Sequence, residues 1–181
     1  MDVIEYLIFF WAVSLSAVGL ILEASGFGIF VVGRPEGVIL TIIGLTMFLG
    51  GWILSGARSF SCVVAAVLNM FDAALTVAFW NFESNPVVLA SGPTIFIVVK
   101  VVWSLTIMLY ARLHTNPGRG GIIFAVFFAF IIAWNLSQQI LISVGFRDFS
   151  YGILVGSILS FIAAGVTLYI LALSERRQGE S

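Results

Sequence analysis

Two ionisable side chains stand inside long apolar runs of this sequence, Asp72 within Phe60–Trp80 and Lys100 within Pro93–Leu113. In hydrocarbon a charge costs about 2.5 to 3.5 kcal/mol on insertion scales, so such groups occur paired or facing a cavity. Their signs are opposite, and no other charge is expected at depth. Asn69, Asp72 and Thr76 are spaced by three and four residues, which puts them on one helical face, and Glu83 continues that face if the helix runs on. Lys100 is followed one turn later by Ser104. Farther along, Asn135, Gln138 and Gln139 form an amide stripe within another apolar run. Such a set can pair charges, donate and accept hydrogen bonds, and hold a small solute or ion.

Other chemistries lack their residues. A zinc protease needs two helical His around a Glu, and His114 is the single histidine. That residue falls in a loop, away from the polar cluster, so it is poorly placed to serve a serine nucleophile. An aspartyl dyad needs two membrane Asp residues, and Mg²⁺ on a diphosphate needs several carboxylates. Cys62 is alone and has no disulfide partner within the chain. No metal and no cofactor is expected. The glycine-containing loop Arg112–Gly121 lacks the Lys-Ser or Lys-Thr end of a P-loop and reads as a turn whose Arg side chains touch anionic headgroups.

These residues need elements that hold them in a membrane. Of 181 residues 61% are hydrophobic and 9% charged, against roughly 25% charged in an ordinary soluble domain. Mean hydropathy is +1.15. With 8 Lys and Arg against 9 Asp and Glu there is no basic excess for phosphates, which excludes nucleic acid as a partner and leaves the lipid bilayer. A spanning helix needs about 20 apolar residues. Six segments qualify: Val3–Leu22, Gly37–Gly56, Phe60–Trp80, Pro93–Leu113, Gly121–Gly145 and Gly152–Ser174. The runs are continuous, without the alternation of barrel strands, so the expected fold is an all-α polytopic helical bundle forming one membrane domain over residues 1–181. The glycine-rich stretch Glu23–Glu36 is open between a helix extension, an interfacial hairpin and a re-entrant piece. Asp2 and Glu5, with no Lys or Arg before Tyr6, argue against a cleaved signal peptide.

Six spans put Arg58, Arg112, Arg119, Arg176 and Arg177 on the side of both termini and leave Arg34 and Arg147 on the other. The bias of cationic loops toward the cytoplasm then makes both termini cytoplasmic. Gly121, Ala125, Ala129, Ala133 and Ser137, and likewise Gly152, Gly156, Ser160 and Ala164, form ladders of small residues that let helices approach closely. Packing within the bundle is the simpler use, and a homo-oligomer or another membrane subunit is the alternative partner. With small residues on one face and amides on the other, the fifth helix is expected to be central. Depths of roughly 15 Å for Asp72 and roughly 11 Å for Lys100, at 1.5 Å per residue, allow a direct contact in the outer half of the bundle. Phe79, Trp80, Phe82, Trp103 and Trp134 lie nearby in sequence or depth.

Asp72-Ala73-Ala74-Leu75-Thr76, then Glu83-Ser84-Asn85-Pro86, then Lys100, resembles the Asp-xxx-Thr, Glu-x-Asn-Pro and membrane-Lys pattern of a family of small, uncharacterised prokaryotic membrane proteins. The resemblance covers Phe60–Leu113. It implies a prokaryotic cell membrane and the grouping of Asp72, Thr76, Glu83, Asn85 and Lys100, and it implies no activity. In size and span count the chain is also similar to the substrate-binding subunits of energy-coupling-factor vitamin importers, without a shared motif. Two functional classes stay open: a small-solute or ion binding and transport subunit using the polar cluster, and a structural or assembly subunit whose charges hold helices together. An intramembrane enzyme ranks third.

Overall fold

The computed structural model describes residues 3–31, 33–57, 59–82, 86–145 and 149–179. Every regular element among them is helical: α1 (Val3–Val31), α2 (Gly37–Ser55), α3 (Phe60–Ala78), a short 3₁₀ turn (Trp80–Phe82), α4 (Pro86–Leu113), α5 (Gly118–Ser143) and α6 (Phe149–Gly179). All six α-helices are long and apolar enough to span a membrane, and this makes the chain a multi-pass protein of the lipid bilayer. Their outward faces agree: α6 exposes Phe161, Ile162, Val166, Tyr169 and Ile170 where water would reject them.

The stretch after Leu22 is a helix extension. No proline interrupts it, and α1 runs unbroken through Glu23 to Val31 before the turn at Gly33 to Glu36. Gly26 within it serves close packing, because a Cβ there would collide with the backbone of Thr41. The same seam continues along the α1–α2 hairpin, where Gly19 meets Phe48, Gly44 meets Glu23 and Gly51 meets Ser16 at backbone distance.

The fourth element is two helical pieces in succession. Its helix begins at Pro86 and is bent at Gly92, whose φ of 76° and ψ of 159° are not helical. Proline disfavours the α conformation in the residue before it, and glycine alone occupies this positive φ without strain, so Gly92 breaks the helix and the long helical segment starts at Pro93, as expected. Lys100 therefore lies seven residues, roughly 11 Å at helical rise, into the segment that starts at Pro93.

At the opposite end α3 is started by Ser59, whose extended backbone and Oγ, accepting from Cys62 N at 3.3 Å, cap the first turn. Ser61 Oγ donates to Gly118 O at 3.0 Å, Arg112 donates to Ser55 O, and the Arg112 guanidinium lies 4.5 Å over the Phe9 ring. These contacts gather the start of α1, the α2–α3 loop and the α4–α5 loop at one end of the bundle. Alternating helix directions bring the end of α6 to that side too.

Helix α3, and not α5, is the central one. It is the most buried of the six and packs on α1, α4 and α5. Its small side chains Ala65, Ala66, Ala73 and Ala74 are buried on several sides and let neighbours close around it. Helix α5 uses its small ladder against α3, where Gly121 abuts Ser61 and Cys62, while its other side receives α6, with Gly156 seated against Gln138, Ser137 and Trp134. Both ladders therefore pack within the chain. Helices α4 and α5 each lie on α3, and between them it is mainly long side chains that meet, Trp103 and Tyr110 of α4 against Phe124 of α5.

Candidate functional site

Three helices converge on Asp72. Lys100 Nζ of α4 donates to Asp72 Oδ2 at 2.7 Å, and Asn135 Nδ2 of α5 donates to Asp72 Oδ1 at 2.9 Å. Side-chain exposure is 5% for Asp72 and 15% for Lys100, so the pair is shielded almost completely. The ammonium also sits 5.4 Å from the ring centroids of Phe96 and Phe128, whose π-faces offer further cation stabilisation where water is scarce. The carboxylate thus has a donor on each oxygen, and the ammonium has a carboxylate and two aromatic neighbours. This meets the condition under which a buried ion pair is tolerated.

One turn deeper, Asn69 extends the cluster. Its Nδ2 donates to Lys100 O at 2.8 Å and to Ser104 Oγ at 2.9 Å, and Ser104 Oγ donates to Ala66 O at 3.1 Å. Asn69 Oδ1 is buried and has no partner among the described residues. Asn69 and Lys100 line a cavity of about 500 Å³ between α4 and α5, whose remaining walls are apolar and include Trp103, Phe124 and Phe128.

Not every residue of the sequence stripe joins this cluster. Thr76 is buried one turn beyond Asp72, and its hydroxyl makes no hydrogen bond among the described residues. Gln138 turns to α6, where Nε2 donates to Gly152 O at 2.9 Å, so it ties two helices instead of facing Asp72. Gln139 is half-buried without a described hydrogen bond. Glu83 and Asn85 lie outside the described residues. The cluster therefore comprises Asn69, Asp72, Lys100, Ser104 and Asn135. Of the aromatic neighbours, Trp80 reaches Phe96 at 6.5 Å and Trp103 reaches Phe124 at 6.1 Å.

Asp72 and Lys100 are not the only ionisable groups at depth. Glu23 in α1 is fully buried, with neither carboxyl oxygen hydrogen-bonded among the described residues. The sequence leaves its stretch open between a helix extension, a hairpin and a re-entrant piece; the longer helix carries it into the span. The signal was the absence of proline between Leu22 and Val31. Because no bond would be lost, Glu23→Gln and Glu23→Leu are expected to leave the thermal midpoint in detergent unchanged or to raise it. A clear fall in midpoint for both would show that the carboxyl is held by a contact.

No family model, curated protein or solved structure matches the chain, so the cluster stands on its geometry alone.

Proposed function

We propose that this chain is a membrane-embedded subunit that binds, and in a complex transports, a small solute or ion at the cluster of Asp72, Lys100, Asn69 and Asn135. The observation that carries the reading is the cavity of about 500 Å³ lined in part by Asn69 and Lys100, which in this reading lies in the outer half of the bundle. Pockets of roughly 300 to 1,000 Å³ with apolar walls and a few convergent polar groups are the usual form of small-molecule sites. Five polar side chains from three helices also exceed what one helix contact requires. In this reading the end bearing Arg112 and Arg119, with both termini, faces the cytoplasm of a prokaryotic cell, in accord with the cationic bias of cytoplasmic loops. The resemblance of Phe60–Leu113 to small prokaryotic membrane proteins belongs to the same proposal.

A second reading, a structural or assembly subunit, is favoured by a different observation. Both Asp72 oxygens are already satisfied from within the chain. A thermal-shift ligand screen on purified protein separates the two, repeated with Asp72→Asn and Lys100→Met. Binding predicts a ligand that raises the wild-type midpoint and loses its effect in both variants. No stabilising ligand, together with full activity of both variants in the host, would leave the structural reading.

A further inference from the structure

Glu23 is a buried carboxyl outside the polar cluster. It stands in the span Leu7–Val31 of α1, roughly 12 Å from the end at Val31 by helical rise. Its exposure is 0%, and neither Oε1 nor Oε2 has a hydrogen-bond partner among the described residues. The helices packed on α1 are α2, α3 and α4, and they bring it no counter-ion. Helix α2 contains no ionisable residue between Gly37 and Ser55. On α3 Asp72 is held by Lys100 of α4 at 2.7 Å, and Arg112 of α4 donates to Ser55 O at the far end of α2. Glu5 shares α1 with Glu23 but lies about five turns away, roughly 27 Å.

An unpaired carboxylate in such a place costs far more than a neutral carboxyl, so the surroundings call for a cation on Glu23. A metal ion does not suit them. No group of three or more His, Cys, Asp or Glu forms among the described residues, so a metal would find a single carboxyl. Nor is there room beside it. A Cβ at Gly44 would collide with the backbone of Glu23, one at Gly19 with that of Phe48 and one at Gly26 with that of Thr41, so α1 and α2 meet backbone to backbone at, below and above this residue. One turn beyond, Phe27 meets Phe71 of α3 with ring centroids 4.6 Å apart. A proton needs neither further ligands nor space.

We propose that Glu23 is an occluded proton site: the closed α1–α2 seam holds the carboxyl with its proton, and that proton exchanges with water only when the two helices part. Exchange makes and breaks the carboxyl O–H bond alone, the proton passing to and from water. The site thereby ties a proton to a movement of the α1–α2 hairpin. It is separate from the cavity between α4 and α5 and does not depend on what that cavity binds.

Infrared spectroscopy of the whole protein in lipid nanodiscs tests both parts of the proposal. In neutral buffer the wild type is expected to show a protonated-carboxyl band that is missing from Glu23→Gln. On transfer to deuterium oxide this band should shift slowly in the wild type and in Gly165→Ala, whose added Cβ meets nothing within 4 Å. In Gly44→Val, which forces the seam apart, the shift should be about tenfold faster or more, because exchange follows local opening. Gly44→Ala serves the same comparison if the valine variant does not fold. A wild-type spectrum with no band dependent on Glu23 would mean an ionised carboxylate and would overturn the proposal. Equal exchange in the wild type and the Gly44 variants would overturn it as well, by showing that the seam does not govern access. Neither readout involves a solute, so failure here leaves the proposed solute site standing.

Discussion

Replacing Asp72 by Asn or Lys100 by Met should each lower unfolding stability by about 3 to 5 kcal/mol, the range for removing one member of a buried pair. The reason is what each change leaves behind. Without the carboxylate, the Lys100 ammonium keeps its aromatic neighbours Phe96 and Phe128 but loses its counter-ion. Without the ammonium, Asp72 keeps only the Asn135 amide as donor in an environment that solvates it poorly. The double change removes both charges together, so it should cost less than the sum of the singles, and a double-mutant cycle reads the difference as coupling. Exchanging the two charges should recover part of the loss. Asn135 can turn its amide to present oxygen to an ammonium at position 72, yet the aromatic pair around Lys100 would then face a carboxylate. Denaturant titrations in mixed micelles measure these values. Additive single effects would show that the 2.7 Å contact contributes no coupling to stability.

The pair was legible in the sequence because opposite charges in neighbouring apolar runs have few affordable arrangements in lipid. Asn69 and Ser104 were legible as positions on the faces of Asp72 and Lys100, though not as partners of each other. Asn135 and Gln138 show where the pattern stops. They lie on one arc of α5, and only the packing of α3 and α6 on either side decides that Asn135 meets Asp72 while Gln138 meets Gly152. The central helix was misread for a related reason. Small residues on α5 signalled close approach but could not name the partner. The equally small set on α3, with Ala65, Ala66, Ala73 and Ala74, receives neighbours on more sides. Glu23 was lost to a helix boundary, since the depth of a residue depends on where its helix ends.

A consequence of α3 being central is that the polar cluster and the α4–α5 cleft have one origin. Asn69 and Asp72 project from α3 toward α4 and α5, and their bonds to Lys100, Ser104 and Asn135 fix those two helices on α3. Tied in this way to a common helix, α4 and α5 keep their backbones apart, and the space left between them is lined by Asn69, Lys100 and aromatic side chains. Structural and binding roles for these residues are therefore compatible.

The other large effect belongs to the α1–α2 seam. In α2, Gly37, Gly44 and Gly51 recur at seven-residue intervals, two helical turns, and face α1. A Cβ at Gly44 would collide with the backbone of Glu23 and lie 2.6 Å from Gly19 O, so relief requires moving a whole helix and not a side chain. Gly44→Ala is expected to cost about 1 to 3 kcal/mol, in the range of overpacked cores, and Gly44→Val more because its branched side chain needs greater separation. Gly165→Ala in α6 is the control: nothing lies within 4 Å of the added Cβ, and alanine favours helix over glycine, so stability should hold or rise. The seam also buries Glu23, whose backbone abuts Gly44. Separation of the two helices should therefore open its carboxyl to a hydrophobic, membrane-permeant carbodiimide, read by mass spectrometry of the labelled α1 peptide. Wild type and Gly165→Ala should stay unlabelled at Glu23 while folded Gly44→Val takes the label. Equal stability of Gly44→Val and wild type would show that α1 and α2 do not depend on this close approach.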